Sequence, residues 1–164
     1  MRYLKDLLFT ETHLIRGHAN TGERRLSTFL NMTRKYFLEV EEATLVRHDG
    51  GGTLQAGWML VRLDDILLAH EMEVTGDEGL RLLGKNAGSE IDITAHFNGR
   101  LPLQLSGKVR QRAIDSDTVR SHNFFVVADP VLRGFTANPS REYAIFNKLP
   151  YLIANRNHIA FILR

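Results

Sequence analysis

A row of cations on one predicted strand is the feature of this sequence best suited to binding a ligand. Lys108, Arg110 and Arg112 are separated by single residues, so on a β-strand they project from the same face. Arg100 precedes this strand and Arg120 follows it. Cations at this spacing suit the phosphates of single-stranded nucleic acid, although no aromatic side chains alternate with them to stack on bases. They equally suit an acidic protein partner, or an edge strand on which charge prevents aggregation.

The histidines and carboxylates do not have the spacing of a metal site. His13 and His18 lie five residues apart on a predicted strand, and His70 and Glu73 lie three apart, so the members of each pair face opposite ways. The chain has no His-Glu-x-x-His motif and no cysteine. We therefore expect surface or interface histidines and no bound metal.

Motifs for catalysis or nucleotide binding are missing as well. The carboxylate pair Asp64-Asp65 falls in a predicted tight turn, where Asp side chains commonly bond to their own backbone. Gly50-Gly51-Gly52 stands between predicted strands and is followed by neither a helix nor a Lys, unlike a phosphate-binding loop. We predict no catalytic residues and no cofactor.

The composition is that of a soluble globular domain. The chain has 164 residues, of which 43% are hydrophobic and 24% charged, with 21 Lys and Arg against 19 Asp and Glu. The absence of cysteine excludes a disulfide framework and is consistent with a reducing compartment. No apolar run is long enough to cross a membrane, and the first residues lack a signal-peptide pattern. We expect a cytoplasmic protein without membrane insertion.

Alternation of apolar and polar residues predicts a long β-hairpin in the middle of the chain. Its strands are 90–98 and 101–112, joined at Asn98-Gly99, a pair that favours the positive φ angles of a tight hairpin turn. Most other apolar runs are short and bounded by Gly, Asn, Asp or Pro, which is typical of an all-β protein.

Two segments depart from this β pattern. Within 23–35, Leu26, Phe29 and Leu30 have helical spacing, which predicts one or two turns of helix. A second short helix is possible over 80–83, although glycines interrupt it.

The two halves of the chain contain matching segments. One gapless match begins with an aromatic residue and three apolar residues, continues through a short polar break, and ends in an apolar run opened by Ile. Three such matches occur in the same order, which predicts an internal duplication. The aligned pairs are 58–69 with 151–162, 37–45 with 124–132, and 13–17 with 103–107.

The first half resembles a bacterial domain of unknown function with a small Sm-like or SH3-like β-barrel. The resemblance covers 12–70 and, more loosely, 103–163, where the leucine-serine motif is missing. It implies a tandem pair of small barrels and no particular reaction, cofactor or substrate. The motifs that carry it are the leucine-serine run in 25–31, the strand beginning Tyr36-Phe37-Leu38, the pair Glu42-Ala43, and the polar turns before Ile66 and Ile159.

These observations predict a mainly β protein made of two similar small β-barrel-like halves with one or two short helices. The first repeat is 1–74, the connection is 75–89 and the second repeat is 90–164. The last runs of the chain are apolar at nearly every position, so they need cover on both faces. We expect a neighbouring copy to cover them, through an interface that contains Tyr151, Leu152, Ile153, Ile159 and Phe161.

The predicted function is a non-catalytic binding or assembly module that forms a homo-oligomer, because small barrels present open strand edges to partners. The alternative is an RNA- or single-stranded-DNA-binding protein that uses the basic strand face.

Overall fold

The fold is mainly β, as the sequence predicts. The computed structural model describes residues 6–22, 24–32, 34–72, 89–114, 123–134 and 145–164. The ten strands are β1 (Asp6–Phe9), β2 (His13–Ala19), β3 (Phe37–Arg47), β4 (Thr53–Arg62), β5 (Leu68–His70), β6 (Glu90–Phe97), β7 (Gln104–Arg110), β8 (Phe124–Arg133), β9 (Tyr151–Asn155) and β10 (Ile159–Leu163).

Short helices connect some of these strands. Helix α1 (Leu26–Met32) follows β2 and confirms the helix predicted within 23–35, with Leu26, Phe29 and Leu30 on its buried side. Helix α2 (Gln111–Ile114) is a single turn after β7. The predicted helix at 80–83 lies outside the described residues. Three 3-10 helices complete the described part: Leu63–Asp65, Ile145–Lys148 and Arg156–His158.

The strands form one open antiparallel sheet rather than two separate barrels. Its order is β10-β6-β7-β8-β9-β5-β1-β2-β3-β4. The first half (β1 to β5) joins the second half (β6 to β10) where β5 pairs with β9, through Leu68 opposite Ala154 and Ala69 opposite Ile153. The expected closure of each half into its own barrel is therefore wrong, because the last strand of the first half pairs across the boundary.

The predicted hairpin forms, but without the tight turn expected at Asn98-Gly99. Gly99 has a φ of 127° whereas Asn98 lacks a positive φ, and the connection spans residues 98–103. The second strand is also shorter than expected. β6 pairs with β7 from Glu90 opposite Arg110 to His96 opposite Gln104. β7 ends at Arg110, where the chain turns into α2, so Arg112 does not continue the strand.

Strand order and register agree between the two halves. Both halves follow the order fifth, first, second, third, fourth strand. Leu8 faces Ile15 on one side and Ala69 on the other. In the second half Ala95 faces Leu105 and Ile162 in the same manner. A 3-10 helix precedes the last strand in each half.

A bulge of the same kind occurs in both halves, opposite a glycine of the second strand. A Cβ on Gly17 would lie 2.9 Å from the Glu41 carbonyl oxygen, and a Cβ on Gly107 would lie 2.7 Å from the Ala128 carbonyl oxygen. The residue that follows each carbonyl has φ 48° in a non-glycine position, Glu42 in one half and Asp129 in the other. Only glycine allows the bulged strand to approach this closely.

The junction of the two halves has an apolar cluster on each face. Neighbouring residues of β5 alternate between them, since Leu68 belongs to one cluster and Ala69 to the other. Along β9, Leu152 joins the cluster of Leu68 and Ile153 joins that of Ala69. The chain therefore covers both faces of β9 by itself, which explains why this strand is apolar at nearly every position.

Candidate interaction surfaces

The two outer strands of the sheet carry exposed apolar side chains. β4 and β10 are the ends of the strand order, so each has one edge whose backbone N–H and C=O groups meet no strand among the described residues. The exposed large apolar side chains on these strands are Leu54, Trp58 and Leu60 on β4 and Phe161 and Leu163 on β10. An open edge with apolar side chains is a template for pairing with another chain.

The exposed β10 edge is held in position by its inner neighbour. Leu163 pairs with Thr94 and Phe161 pairs with His96 of β6. The rings of Phe161 and His96 are stacked, with centroids 4.4 Å apart and planes 19° apart. Phe161 is thus exposed but oriented, which lowers the entropy lost when a partner covers it.

Polar groups at the internal junction are satisfied across the two halves. The Asn155 amide nitrogen Nδ2 donates to the Ile66 carbonyl at 2.9 Å, and its backbone N–H donates to Leu67 at 2.9 Å. Asn155 is 2% exposed, and its Oδ1 also accepts from the backbone N–H of Asn157 at 3.0 Å. These hydrogen bonds hold the Asn155 side chain in one orientation within an otherwise apolar contact.

His70 and Tyr151 form a second polar contact at this junction. The His70 Nδ1 lies 2.9 Å from the Tyr151 carbonyl oxygen, an acceptor, so Nδ1 carries the proton. The two rings pack with centroids 4.6 Å apart. The Tyr151 hydroxyl donates to the Glu71 carbonyl at 3.3 Å. Burial lowers the pKa of His70 and raises the pKa of Tyr151, so both side chains are neutral near pH 7.

Helix α1 also connects the halves. The Asn31 side chain bonds the backbone of Phe124 in both directions, donating from Nδ2 to the carbonyl at 3.0 Å and accepting at Oδ1 from the N–H at 2.9 Å. A single amide thereby caps the start of β8 as a neighbouring strand would. Asn31 is the last residue of the leucine-serine run in 25–31, but nothing in that run indicates its contact with Phe124.

The structure divides the predicted oligomer residues between the interior and the surface. Tyr151, Leu152 and Ile153 are buried within the chain, each at 1% exposure or less. Ile159 is half-buried, whereas Phe161 is exposed. Of the predicted interface, Phe161 is therefore the residue that offers a large free apolar surface to a partner.

Sequence reasoning missed the opposite edge of the sheet. Trp58 and Leu60 on β4 are exposed, although Trp58 aligns with Tyr151 and Leu60 with Ile153 in the gapless match between the halves. That match was the available signal, because a strand that needs cover in one half implies the same need at the aligned strand of the other half.

The predicted basic row is only partly brought together. Lys108 is exposed on β7, opposite Asp92, and Arg110 is half-buried opposite Glu90. The cations of the strand thus have carboxylates directly across from them. Arg112 is exposed on α2 and leaves the strand face.

The other two cations of the predicted face do not extend it. Arg100 is exposed in the β6–β7 turn, where its backbone N–H donates to Glu11 Oε1 at 3.0 Å. Arg120 lies outside the described residues.

Arg110 lines a groove between α1 and the second half. The groove has a volume of about 430 Å³ and is also bordered by Ser27, Asn31 and Phe124. The Nε of Arg110 is buried and has no hydrogen-bond partner among the described residues. The Ser27 hydroxyl and the Asn31 amide border this groove beside Arg110, and such groups are hydrogen-bond donors to anions.

The histidines and paired carboxylates are dispersed. Within the described ranges, no group of three or more His, Cys, Asp or Glu is placed to hold a metal ion. His18 lies 3.5 Å from Glu42, and His70 is at the internal junction. Asp64 and Asp65 form the 3-10 helix before β5, where the Asp64 carbonyl oxygen bonds the His158 Nε2.

No family model, curated protein or solved structure matches this chain. None of the described helices has the length and apolar character needed to cross a membrane.

Proposed function

We propose that the two halves are copies of one five-stranded unit, a tandem of Sm-like or SH3-like character. The support is the equal strand order, the equal register and the glycine-faced bulge of each half. Equal registers constrain every paired position, which unrelated strands of similar composition would not reproduce. The aligned segments of the sequence coincide with these equivalent strands.

For the molecule as a whole we propose a non-catalytic binding or assembly module of the cytoplasm that forms a homo-oligomer. The observation that carries this proposal is the apolar character of both free sheet edges, with Trp58 and Leu60 on β4 and Phe161 on β10. Natural proteins usually protect such edges with charge, Pro or a covering segment. A sheet whose two outer edges are both apolar favours strand addition by a partner.

Sedimentation and native mass spectrometry test this proposal directly. At micromolar concentration we expect a mass that is a multiple of the 18.7 kDa chain, unchanged by nuclease treatment. A standard interface buries about 800 Å² per partner, and interfaces of this size have dissociation constants from micromolar to picomolar. A monomer at every concentration up to about 100 µM, well above this range, would therefore refute self-assembly.

The alternative is binding of single-stranded nucleic acid or an acidic protein through Lys108 and Arg110. The buried Nε of Arg110 at the groove beside α1, which meets no hydrogen-bond acceptor in the described part of the chain, favours an anionic ligand. The carboxylates opposite both residues, Asp92 and Glu90, disfavour a long phosphate backbone because they offset the field of the cations.

A charge-removal variant tests the alternative. If the face binds nucleic acid, replacing Lys108, Arg110 and Arg112 together by Gln should abolish binding at low salt. Each lost phosphate contact should also reduce the slope of log affinity against log salt by about 0.7. A wild-type protein that fails to bind an oligonucleotide at low salt rules out nucleic-acid binding.

A further inference from the structure

We propose that copies of this chain join head to tail, with β10 of one copy adding to β4 of the next in the register that joins β9 to β5 inside the chain. This inference rests on the proposed assembly function and gives it a geometry. The internal junction supplies the template, because it pairs the fifth strand of one half with the fourth strand of the other.

Equivalent positions follow from the 3-10 helices that begin at Leu63 and Arg156. Counting back from these helices along the fourth strands, Trp58 corresponds to Tyr151 and Leu60 to Ile153. Counting forward along the fifth strands, Leu68 corresponds to Phe161 and His70 to Leu163. The free strands β4 and β10 are thus the counterparts of β9 and β5, which form the internal junction.

The equivalent residues of the two halves differ in exposure: those at the internal junction are buried, and those on β4 and β10 are exposed. On the fourth strands, Tyr151 and Ile153 are each 1% exposed, whereas Trp58 is 56% and Leu60 is 44% exposed. The side chains are apolar in both halves, but among the described strands a neighbour covers those of the second half and none covers those of the first.

The fifth strands show the same contrast. Leu68 is 0% and His70 is 5% exposed at the internal junction. Their counterparts on β10, Phe161 and Leu163, are 53% and 54% exposed. Exposed large apolar residues therefore stand on both sides of the missing contact, at the positions that are buried inside the chain.

The internal register predicts the pairs of the new contact. Leu68 opposite Ala154 translates to Phe161 opposite Val61, and Ala69 opposite Ile153 translates to Ile162 opposite Leu60.

The faces agree with this register. Val61 belongs to the apolar cluster that contains Ala69, so Phe161 would extend that cluster. Ile162 packs against the cluster that contains Leu68, which Leu60 would then join.

Backbone bonding extends the same comparison. The Asn155 N–H donates to the Leu67 carbonyl at the internal junction. The equivalent bond between copies runs from the Arg62 N–H to the carbonyl of Ala160. The contact joins different surfaces of the two copies, so it generates a ring if the rotation closes and a filament if it does not.

Cysteine cross-linking tests this register without interference, because the chain has no native cysteine. Leu60→Cys and Ile162→Cys in one chain place thiols on directly opposed residues of neighbouring copies, about 5.5 Å apart between Cα atoms. Mild oxidation of this double variant should give a ladder of covalent multimers on a non-reducing gel. Each single variant should remain uncross-linked, since a head-to-tail contact never brings two copies of one position together.

The matched control is Met59→Cys with Ile162→Cys. Met59 neighbours Leu60 on the same strand and faces the opposite side of the sheet, so its thiol points away from Ile162 of the next copy. We expect its multimer yield to be at least tenfold lower. Circular dichroism of all variants checks that they fold.

The outcomes separate the register from the assembly function. Equal yields for the double variant and its control, or efficient cross-linking by Leu60→Cys alone, would overturn the head-to-tail register. An oligomer by sedimentation without cross-links in the double variant would also overturn the register and leave the assembly function standing. A monomer at all concentrations would refute both proposals.

Discussion

Single residues at the internal junction show how an apolar contact acquires one geometry. Asn155 and His70 are among the few buried polar residues of the described chain, and both bond carbonyl groups across the two halves. A buried donor opposite a buried carbonyl is satisfied in one register only, because a slip leaves both groups unpaired. These residues therefore specify the junction, while the surrounding Leu, Ile and Ala side chains supply most of its burial.

Removing the Asn155 amide should destabilise the fold. Asn155→Ala leaves the Ile66 carbonyl without its donor, so we expect the free energy of unfolding to fall by about 1–3 kcal/mol. Urea unfolding followed by circular dichroism measures this change. Asn20→Ala is the control, because that amide bonds Glu39 at the surface and its loss should cost about 0.5 kcal/mol or less. Equal losses in the two variants would contradict the role of Asn155.

His70 should make stability depend on pH. Burial lowers the pKa of His70 below its ordinary 6.5, so the unfolded chain binds this proton at a higher pH than the folded chain. The stabilisation is therefore present above pH 6.5 and is lost as the pH falls through the range between 6.5 and the folded pKa.

The measurement is urea unfolding at pH 7.5 and pH 5.5, where carboxylates remain mostly ionised. We expect the wild type to lose more stability across this range than His70→Phe does. His48, whose pKa burial also lowers, contributes equally to both proteins. Parallel pH profiles for wild type and variant would show that His70 does not titrate as proposed.

At the scale of elements, bulges and helix contacts determine how far each strand continues. β2 and β7 each carry a glycine where the neighbouring strand bulges, and the bulge locally increases twist. Helix α2 ends β7 after Arg110, which removes Arg112 from the basic row. A strand face predicted from alternation is thus interrupted by the element that follows it.

The bulge glycine should not tolerate a methyl group. In Gly107→Ala the new Cβ would lie 2.5 Å from Val127 Cγ1 and 2.7 Å from the Ala128 carbonyl oxygen, so we expect a loss of about 1–3 kcal/mol. Gly57→Ala on β4 is the matched control, because nothing lies within 4 Å of its Cβ position. Chemical denaturation compares both with wild type, and an unchanged midpoint for Gly107→Ala would contradict this account of the bulge.

At the scale of the whole molecule, the continuous sheet has two apolar edges that no other described strand covers. The first half is complete on its β5 side because the second half covers it, and the second half is complete on its β9 side for the same reason. The sides that meet no strand in the described ranges are those of β4 and β10. One chain therefore forms one β5–β9 junction internally. Its outer strands, β4 and β10, are the two complementary sides of a second junction of the same kind.

A charge on the β10 edge should dissociate the assembly. Phe161→Glu places a carboxylate where the proposed contact buries an aromatic ring, so we expect the sedimenting mass to decrease toward 18.7 kDa at micromolar concentration. Val131→Glu is the control, since Val131 is a comparably exposed apolar residue on β8, an interior strand of the sheet. Its mass should equal that of the wild type, and dissociation by both variants would point to a general effect of charge.

Local sequence patterns were sufficient to predict the elements themselves. Alternation around Asn98-Gly99 predicts the β6–β7 hairpin, and the spacing of Leu26, Phe29 and Leu30 predicts α1, because each pattern follows directly from the period of its secondary structure. The mainly β class follows from many such short segments. The gapless alignments also identify the strands that the structure shows in equal registers.

Only the tertiary structure decided which strand covers β9 and which strands stand at the edges of the sheet. An apolar run specifies that both faces of β9 are covered, but its composition is the same whether the cover is a second copy or the chain itself. The structure pairs β9 with β5, so Tyr151 and Ile153 are buried inside, and Trp58 and Phe161 remain at the free edges. Pairing between distant strands depends on long-range geometry and loop closure, which no local period encodes.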